Sequence, residues 1–373
     1  MIGNKNSLIT CLEHSNSITD TVLNLIMQDV TVGYMSEGTT NVVLVRDYTP
    51  TNNLGYNLTF KNLTVDLTNA PDGAKIVDLG TGVVNARFEG LKIKGGSTEA
   101  SIKHSVSLYT DFLYTVYVPA SDFSYIELAG VKYSNLGELE LELIDGVAYY
   151  KLSTRINPFG AYDTVTLTLG TAEPVSHEIG IISYVRTVAQ DTDPVNSALA
   201  KDMLSYIAAA YNFFAPTSRE AGEVAALVTE ILGVGYDAEN APTPKEKKQS
   251  IAGLDAAALM IDGAPAFVFY PETDADGNLV YAVDKYSFTV GGVAVTPEVK
   301  TNKDGVTYLV VRLAAYRMLD TVEYAIADTE ISGEYNLSAY LEFAASDPAL
   351  ENLVLRLMKY AESAEVYRVA NSD

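Results

Sequence analysis

The sequence predicts a mainly β protein with α content: the end of a parallel β-helix followed by two repeated β-sandwich-plus-helical-hairpin modules. Three observations carry this expectation. A ten-residue hydrophobic pattern recurs three times before residue 100. A stretch free of gaps, Asp193–Phe214, returns as Asp347–Arg368 at a constant offset of 154 residues. Runs of alternating apolar residues precede each copy of that stretch, as half-buried strands at hairpin spacing require.

The recurring pattern occupies Leu23–Val32, Tyr56–Val65 and Val84–Ile93, spaced by 33 and 28 residues. Asn24, Asn57 and Asn85 align, as do Met27, Phe60 and Phe88. So do Val30, Leu63 and Leu91, and then Val32, Val65 and Ile93. Second strands are expected between these segments, at Asn41–Val45 and Ala74–Leu79. Each unit reads as one coil of a solenoid whose inward apolar residues stack on the coils above and below. The aligned asparagines are expected at the bends, where side-chain amides satisfy turn backbone. Two antiparallel sheets with strands alike by chance stay open as the alternative. A bare coil end exposes unpaired backbone. Residues 1–20 carry no evident polar cap, so further coils are expected upstream in a longer protein.

In the repeated stretch, Asp193-Pro194 and Asp347-Pro348 read as helix starts. The carboxylate caps free N–H groups, and proline sits where no N–H is needed. Leu199, Met203, Tyr206, Ala210 and Phe213 then recur at three and four, matched by Leu353, Leu357, Tyr360, Ala364 and Tyr367, one face of a helix in each copy. Preceding helices are expected over Ile181–Gln190 and Leu337–Ala345. A third, Ala221–Leu232, follows the capping-box pair Thr217 and Glu220. Strands of the first copy are expected at Ser105–Tyr109, Leu113–Val118, Tyr125–Leu128, Leu139–Leu143, Ala148–Ser153 and Thr164–Leu169. Those of the second are Ala256–Ile261, Ala266–Tyr270, Val280–Val283, Tyr286–Val290, Thr307–Arg312 and Val322–Ile326. The expected divisions are therefore 1–98 for the coils, 99–235 and 253–373 for the modules, and 236–252 for a Pro-punctuated linker.

Composition narrows the function classes. With 48 acidic against 25 basic residues the formal charge is -23, which repels phosphate backbones and anionic membranes, so no nucleic-acid partner is expected. No apolar run approaches a membrane span, so no membrane insertion is expected. Met1–Asn6 lacks a basic segment leading into an apolar run and does not read as a signal peptide. One cysteine, Cys11, cannot form an intrachain disulfide. The 25 tyrosines, with no tryptophan, suit strands with one wet face.

The aligned segments resemble the right-handed parallel β-helices of the pectate-lyase-like superfamily, over about residues 18–97. That resemblance implies the fold and little about activity. In such lyases calcium sits on carboxylates beside a basic residue. The corresponding candidates, Asp29, Lys61, Asp66, Asp78, Arg87 and Lys92, show no stacked acidic cluster in the sequence. The modules, with Ser107-Leu108-Tyr109-Thr110-Asp111-Phe112 and Tyr206-Ile207-Ala208-Ala209-Ala210, resemble a recurrent region of large exported proteins of anaerobic Gram-positive bacteria. This implies an extracellular, surface or secreted location and no catalytic residue.

Two candidate sites remain. Asp274, Asp276 and Asn278 alternate as in the start of a calcium loop, but Lys285 stands where an EF-hand needs glutamate. The same residues serve equally as a hairpin turn. Tyr114, Tyr117, Tyr149 and Tyr150, with Tyr162, are candidates for exposed rings on a binding face, the alternative being half-buried packing residues, as tyrosines alternating along strands more often are. His14, His104 and His177 lie apart, without zinc-ligand spacing. The chain is expected to be a non-enzymatic surface segment for adhesion or display, without a cofactor unless calcium, and with a host or cell-surface protein or glycan as partner. A carbohydrate-active enzyme fragment and a structural spacer without ligand are the alternatives.

Overall fold

Period-two alternation in the first hundred residues builds a parallel ladder. The computed structural model describes residues 7–11, 22–33, 43–47, 55–66, 68, 83–94, 101–107, 111–144, 147–214, 221–261 and 265–372. Strands β2 (Val22–Gln28), β3 (Thr31–Gly33), β5 (Gly55–Asp66) and β6 (Val83–Lys94) form it, while β1 (Ser7–Cys11) and β4 (Val43–Asp47) make a separate two-stranded sheet. β2 pairs with β5, and β5 with β6, all parallel, with Asn24 opposite Asn57 and Asn57 opposite Asn85. Met27, Phe60 and Phe88 share a rung, and β3 continues beside the second half of β5. β1 pairs parallel with β4. The expected strand Ala74–Leu79 and the capping pair Thr217 and Glu220 lie outside the described residues.

The bends correct one expectation. Asn24, Asn57 and Asn85 lie within strands. The chain turns instead at Asp29, Asn62 and Gly90, all left-handed, with φ of 55°, 50° and 81°. One left-handed residue shifts the alternation by one position. Leu58 and Phe60 therefore point inward before Asn62, and Leu63 and Val65 after it, all buried. Asp, Asn and Gly are the residues that enter this region at least cost. The ladder closes across the bend through Asp29 N–H to Lys61 O and Thr64 N–H to Val30 O, each 2.9 Å. Asn62 Nδ2 donates to Asp29 Oδ1 at 2.9 Å. A Cβ on Gly90 would lie 2.9 Å from Asn62 Oδ1, so glycine is required by contact as well as by φ. Between rungs, Phe60 stacks on Phe88 at 5.1 Å, Lys61 meets Glu89 and Lys94 meets Asp66, each at 3.1 Å.

The two later copies share one strand order. The first copy has β7 (Lys103–Val106), β8 (Phe112–Pro119), β9 (Ile126–Leu128), β10 (Val131–Tyr133), β11 (Glu140–Ile144), β12 (Val147–Ile156), β13 (Val165–Leu169) and β14 (Val175–Ile179). Its sheets run β11-β12-β8-β7 and β10-β9-β13-β14. Helices α1 (Ile181–Val188), α2 (Pro194–Phe214), α3 (Ala221–Leu232) and α4 (Tyr236–Glu239) follow. The second copy has β15 (Gln249–Ser250), β16 (Leu254–Met260), β17 (Ala266–Pro271), β18 (Tyr286–Val290), β19 (Val293–Val295), β20 (Glu298–Thr301), β21 (Thr307–Arg312), β22 (Val322–Ile326) and β23 (Ser332–Tyr335), then α5 (Leu337–Ala344) and α6 (Pro348–Ala370). Its sheets run β20-β21-β17-β16 and β19-β18-β22-β23-β15. Apart from the added β15, the order matches strand for strand.

Aromatic rings hold the second copy's sheets face to face: Phe269 of β17 lies 4.9 Å from Phe288 of β18 and 6.0 Å from Tyr324 of β22. The strand expected at Val280–Val283 is not formed. Thr273 and Leu279 bridge instead, Val280 is exposed, and Val283–Lys285 is a turn of 3-10 helix. Val280 N–H reaches Glu272 O at 2.9 Å beyond the tight turn at Asp274, and the 3-10 turn follows in place of a strand. Short edge strands such as β10 and β19 carry exposed valines and no long alternation, so the sequence pattern passes over them.

Two compact units take segments 1–105, 114–154 and 165–179, and segments 106–113, 155–164 and 180–373. The second unit contains both repeated helices. Asp193 Oδ1 caps Val195 N–H at 2.8 Å, and Asp347 Oδ1 caps Ala349 N–H at 2.9 Å. α2 packs on α6, and Tyr206 stacks on its own repeat equivalent, Tyr360, at 5.7 Å and 8°. Phe112 meets both rings edge-on, at 6.4 and 6.3 Å. A turn before each helix docks on its last residues. Phe159 lies 4.7 Å from Phe214 in the first copy, and the Arg368 guanidinium sits 5.4 Å from the Tyr316 ring in the second. Truncating a buried aromatic costs about 3–5 kcal/mol. Tyr360→Ala is therefore expected to lower the unfolding midpoint strongly, whereas Phe343→Ala, 65% exposed, should shift it little; chemical denaturation of both variants checks this.

At the same interface the repeat places an acid and a base at equivalent positions, Asp202 and Arg356, which are 1% and 6% exposed. Asp202 accepts hydrogen bonds from Tyr236 Oη at 2.9 Å and from Ser363 Oγ. Arg356 Nη1 donates to Asp237 O at 3.1 Å, while its buried Nε has no partner. Burial pushes the Asp202 carboxyl above its ordinary value, against the hydroxyls and cations that favour its charge. A folded-state value above the unfolded one means stability that is present at low pH and lost as pH rises through the folded value. Asp202→Asn abolishes that loss. Its stability relative to wild type is thus expected to grow as pH rises from 3 to 7, measured by denaturant midpoints across the range; a constant difference would contradict it.

Candidate functional site

A cavity of about 450 Å³ lies beside the bend line of the ladder, within the first unit. Its floor is the turn of β5 and β6 at Asn62 and Gly90, and its walls are the loop after β8, Ser121–Phe123, and the loop after β10, Ser134–Gly137. Gly137 lies against Gly90: a Cβ there would be 3.6 Å from Gly90 Cα, in ordinary van der Waals contact. Asn135 Nδ2 donates to Glu138 Oε1 at 2.7 Å, which fixes the amide. Tyr150 of β12 closes the inner end. Burial, with the charge of Asp122 second, pushes the Tyr150 phenol up to about 12, so it stays protonated at neutral pH. The surface therefore offers hydroxyls, amides, one carboxylate (Asp122), one ammonium (Lys92) and the Phe123 ring.

The tyrosines expected on an exposed face are mostly interior. Tyr114, Tyr149 and Tyr150 are buried, and Tyr117 is partly buried. This corrects the expected exposure. β8 and β12 are inner strands of their sheet, and the consecutive Tyr149 and Tyr150 face opposite sides, so this sheet is covered on both faces there. Tyr114 Oη lies 2.9 Å from His104 Nδ1 and the two rings stack at 5.7 Å. Desolvation lowers the His104 pKa. Lys103 Nζ lies 5.6 Å from the Tyr149 ring. Of the four tyrosines, Tyr150 lines the cavity described above. Of the other sequence candidates, His177 lies in β14, His14 and Asp78 fall outside the described residues, and Cys11 is in β1. Asp66 is held down to about 2 by the Thr68 hydroxyl and N–H and by Lys94.

Asp274, Asp276 and Asn278 form a closed turn. Asp274 Oδ1 accepts from the Asp276 and Asn278 N–H groups, each at 2.9 Å, and Gly277 has φ of 80°. The same construction recurs at Asn302, whose Oδ1 accepts from Asp304 and Val306 N–H at 2.9 Å, with Gly305 at 82°. A neutral Asn thus makes the turn that the charged Asp makes. Among the described residues, no group of three or more His, Cys, Asp and Glu is placed to hold a metal ion.

A second groove, about 580 Å³, lies between the Tyr316–Asp320 turn and the end of α6. Its charges already face one another: Arg368 forks Glu365 at 2.8 and 2.7 Å, Arg317 meets Asp320 at 3.2 Å, and Lys245 meets Asp320 at 3.7 Å. Displacing such pairs costs what a ligand would gain, so the first cavity is the better site.

The sequence reading missed the cavity because its walls are loops from distant segments. The available signal was the left-handed trio Asp29, Asn62 and Gly90, visible as a break in alternation. No protein-family model and no curated protein matches the chain.

The hydrogen bonds on Asp274 lower its pKa. That stability is present above the unfolded value and lost as pH falls through the folded one. Asp274→Asn is expected to preserve the melting temperature at neutral pH and flatten its acid dependence, while Asp274→Ala lowers it; calorimetry at several pH values decides, and equal loss in both variants would refute the turn's role.

Proposed function

We propose that this chain is a repeat-built, non-enzymatic segment of an exported bacterial surface protein, displaying loops to a host or cell-surface protein or glycan. The observation that carries the reading is the duplicated strand order, with the two copies' helices fastened through Tyr206 and Tyr360. Such construction spends sequence on periodic, self-complementary packing, which suits a rigid support. The parallel ladder is the terminal part of a right-handed β-helix, closed by the face that includes β1 and β4. Its ionic residues serve as rung-to-rung pairs, as in Lys61–Glu89 and Asp66–Lys94.

The acidic surface, at formal charge -23, favours neutral or basic partners over nucleic acid. Among the described residues no helix is long and apolar enough to cross a membrane. The extracellular location rests on the resemblance of the modules to exported proteins. The immobilised chain is expected to retain defined serum or mucosal glycoproteins at physiological salt, and to leave plant and mucin polysaccharides uncut with calcium present. Release of reducing ends or unsaturated sugars would overturn the non-enzymatic reading; retention of nothing from either source would overturn the display reading.

A further inference from the structure

We infer that the cavity at the bend line binds a short neutral carbohydrate, one or two sugar rings, as the contact point of the display function proposed above. Small-ligand sites commonly enclose about 300–1,000 Å³, and this one encloses about 450 Å³. Its chemistry selects among ligands of that size. Asp122 supplies a carboxylate acceptor for sugar hydroxyls and Lys92 an ammonium donor. Ser121 and Ser134 supply hydroxyls that donate or accept, as sugar hydroxyls do. Phe123 and Leu136 supply apolar surface for the C–H face of a ring.

Competing ligand classes fit less well. An anion meets Lys92 inside, but Asp122 offsets that charge in the cavity and a formal charge of -23 surrounds it outside. A hard divalent cation takes six to eight oxygens, typically with several carboxylates, whereas Asp122 is the one carboxylate lining the cavity. A wholly apolar ligand strips water from the amides and hydroxyls without replacing their hydrogen bonds.

The walls are also set before any ligand arrives. The Asn62 amide is held by Asp29 and the Asn135 amide by Glu138. Preorganised polar groups spare a weak ligand the cost of ordering them.

The test uses the whole chain with free ligands: saturation-transfer NMR and calorimetry against neutral mono- and disaccharides, and against their sulfated and sialylated forms. Neutral sugars should bind in the millimolar to micromolar range. Asp122→Ala, at an exposed residue, and Phe123→Ala should each weaken binding at least ten-fold while circular dichroism shows the variant folded. Lys245→Ala, in the other groove, should leave it intact. The inference fails if no neutral sugar binds, if acidic sugars bind better, or if the folded Asp122→Ala and Phe123→Ala variants bind as wild type. Capture of a glycoprotein without free-sugar binding overturns this inference alone. Sugar binding without capture from surface material supports it and counts against the display reading alone.

Discussion

The stack of Tyr206 on Tyr360 is the contact through which the second unit holds its two long helices together. The rings occupy equivalent places in the repeat, so one sequence solution supplies both halves of the interface. A near-parallel pair of buried rings, with Phe112 set edge-on against both, fixes helix spacing and rotation together. Burial raises both phenols, which keeps them neutral and spares the interface any charge. The flanking alanines, Ala209, Ala210, Ala361 and Ala364, are all buried and let the helices approach. The repeat breaks its symmetry at Asp202 and Arg356, where identical residues would bury two like charges. Opposite charges there avoid that repulsion, although each remains costly to desolvate.

The ladder applies repetition differently. Parallel strands in register place like residues above one another, which suits Phe60 on Phe88 but would stack like charges. The sequence alternates sign instead, setting Lys61 against Glu89 and Asp66 against Lys94. Exposed pairs of this kind contribute little to stability individually. Their effect is on register: a slip of one residue would expose the apolar face and set these charges against the wrong partners.

The bend line connects this architecture to the candidate site. A left-handed residue on each rung turns the chain without interrupting its hydrogen bonds. At the last described rung that residue is Gly90, and the Ser134–Gly137 loop lies against it, with Gly137 beside Gly90. The cavity thus follows from a backbone requirement of the ladder and from loops of the adjoining sheets.

Much of the local structure was legible in the residues. Asp193-Pro194 and Asp347-Pro348 marked helix starts because capping is local chemistry, and the aligned Met27, Phe60 and Phe88 marked a shared rung because parallel pairing preserves periodicity. The exposure of Tyr114, Tyr149 and Tyr150 was misread: alternation says which residues share a face, while the presence of a second layer over that face depends on chain far away. The place of the bends was misread for a related reason, since Asn24, Asn57 and Asn85 are turn formers by type but lie within paired strands. The amino-acid sequence by itself determined the repeat, the caps, the rung register and the charge. Only the tertiary structure decided which tyrosines are interior, that equivalent tyrosines meet, and that two loops and a bend enclose a cavity, because these depend on long-range packing that no local pattern encodes.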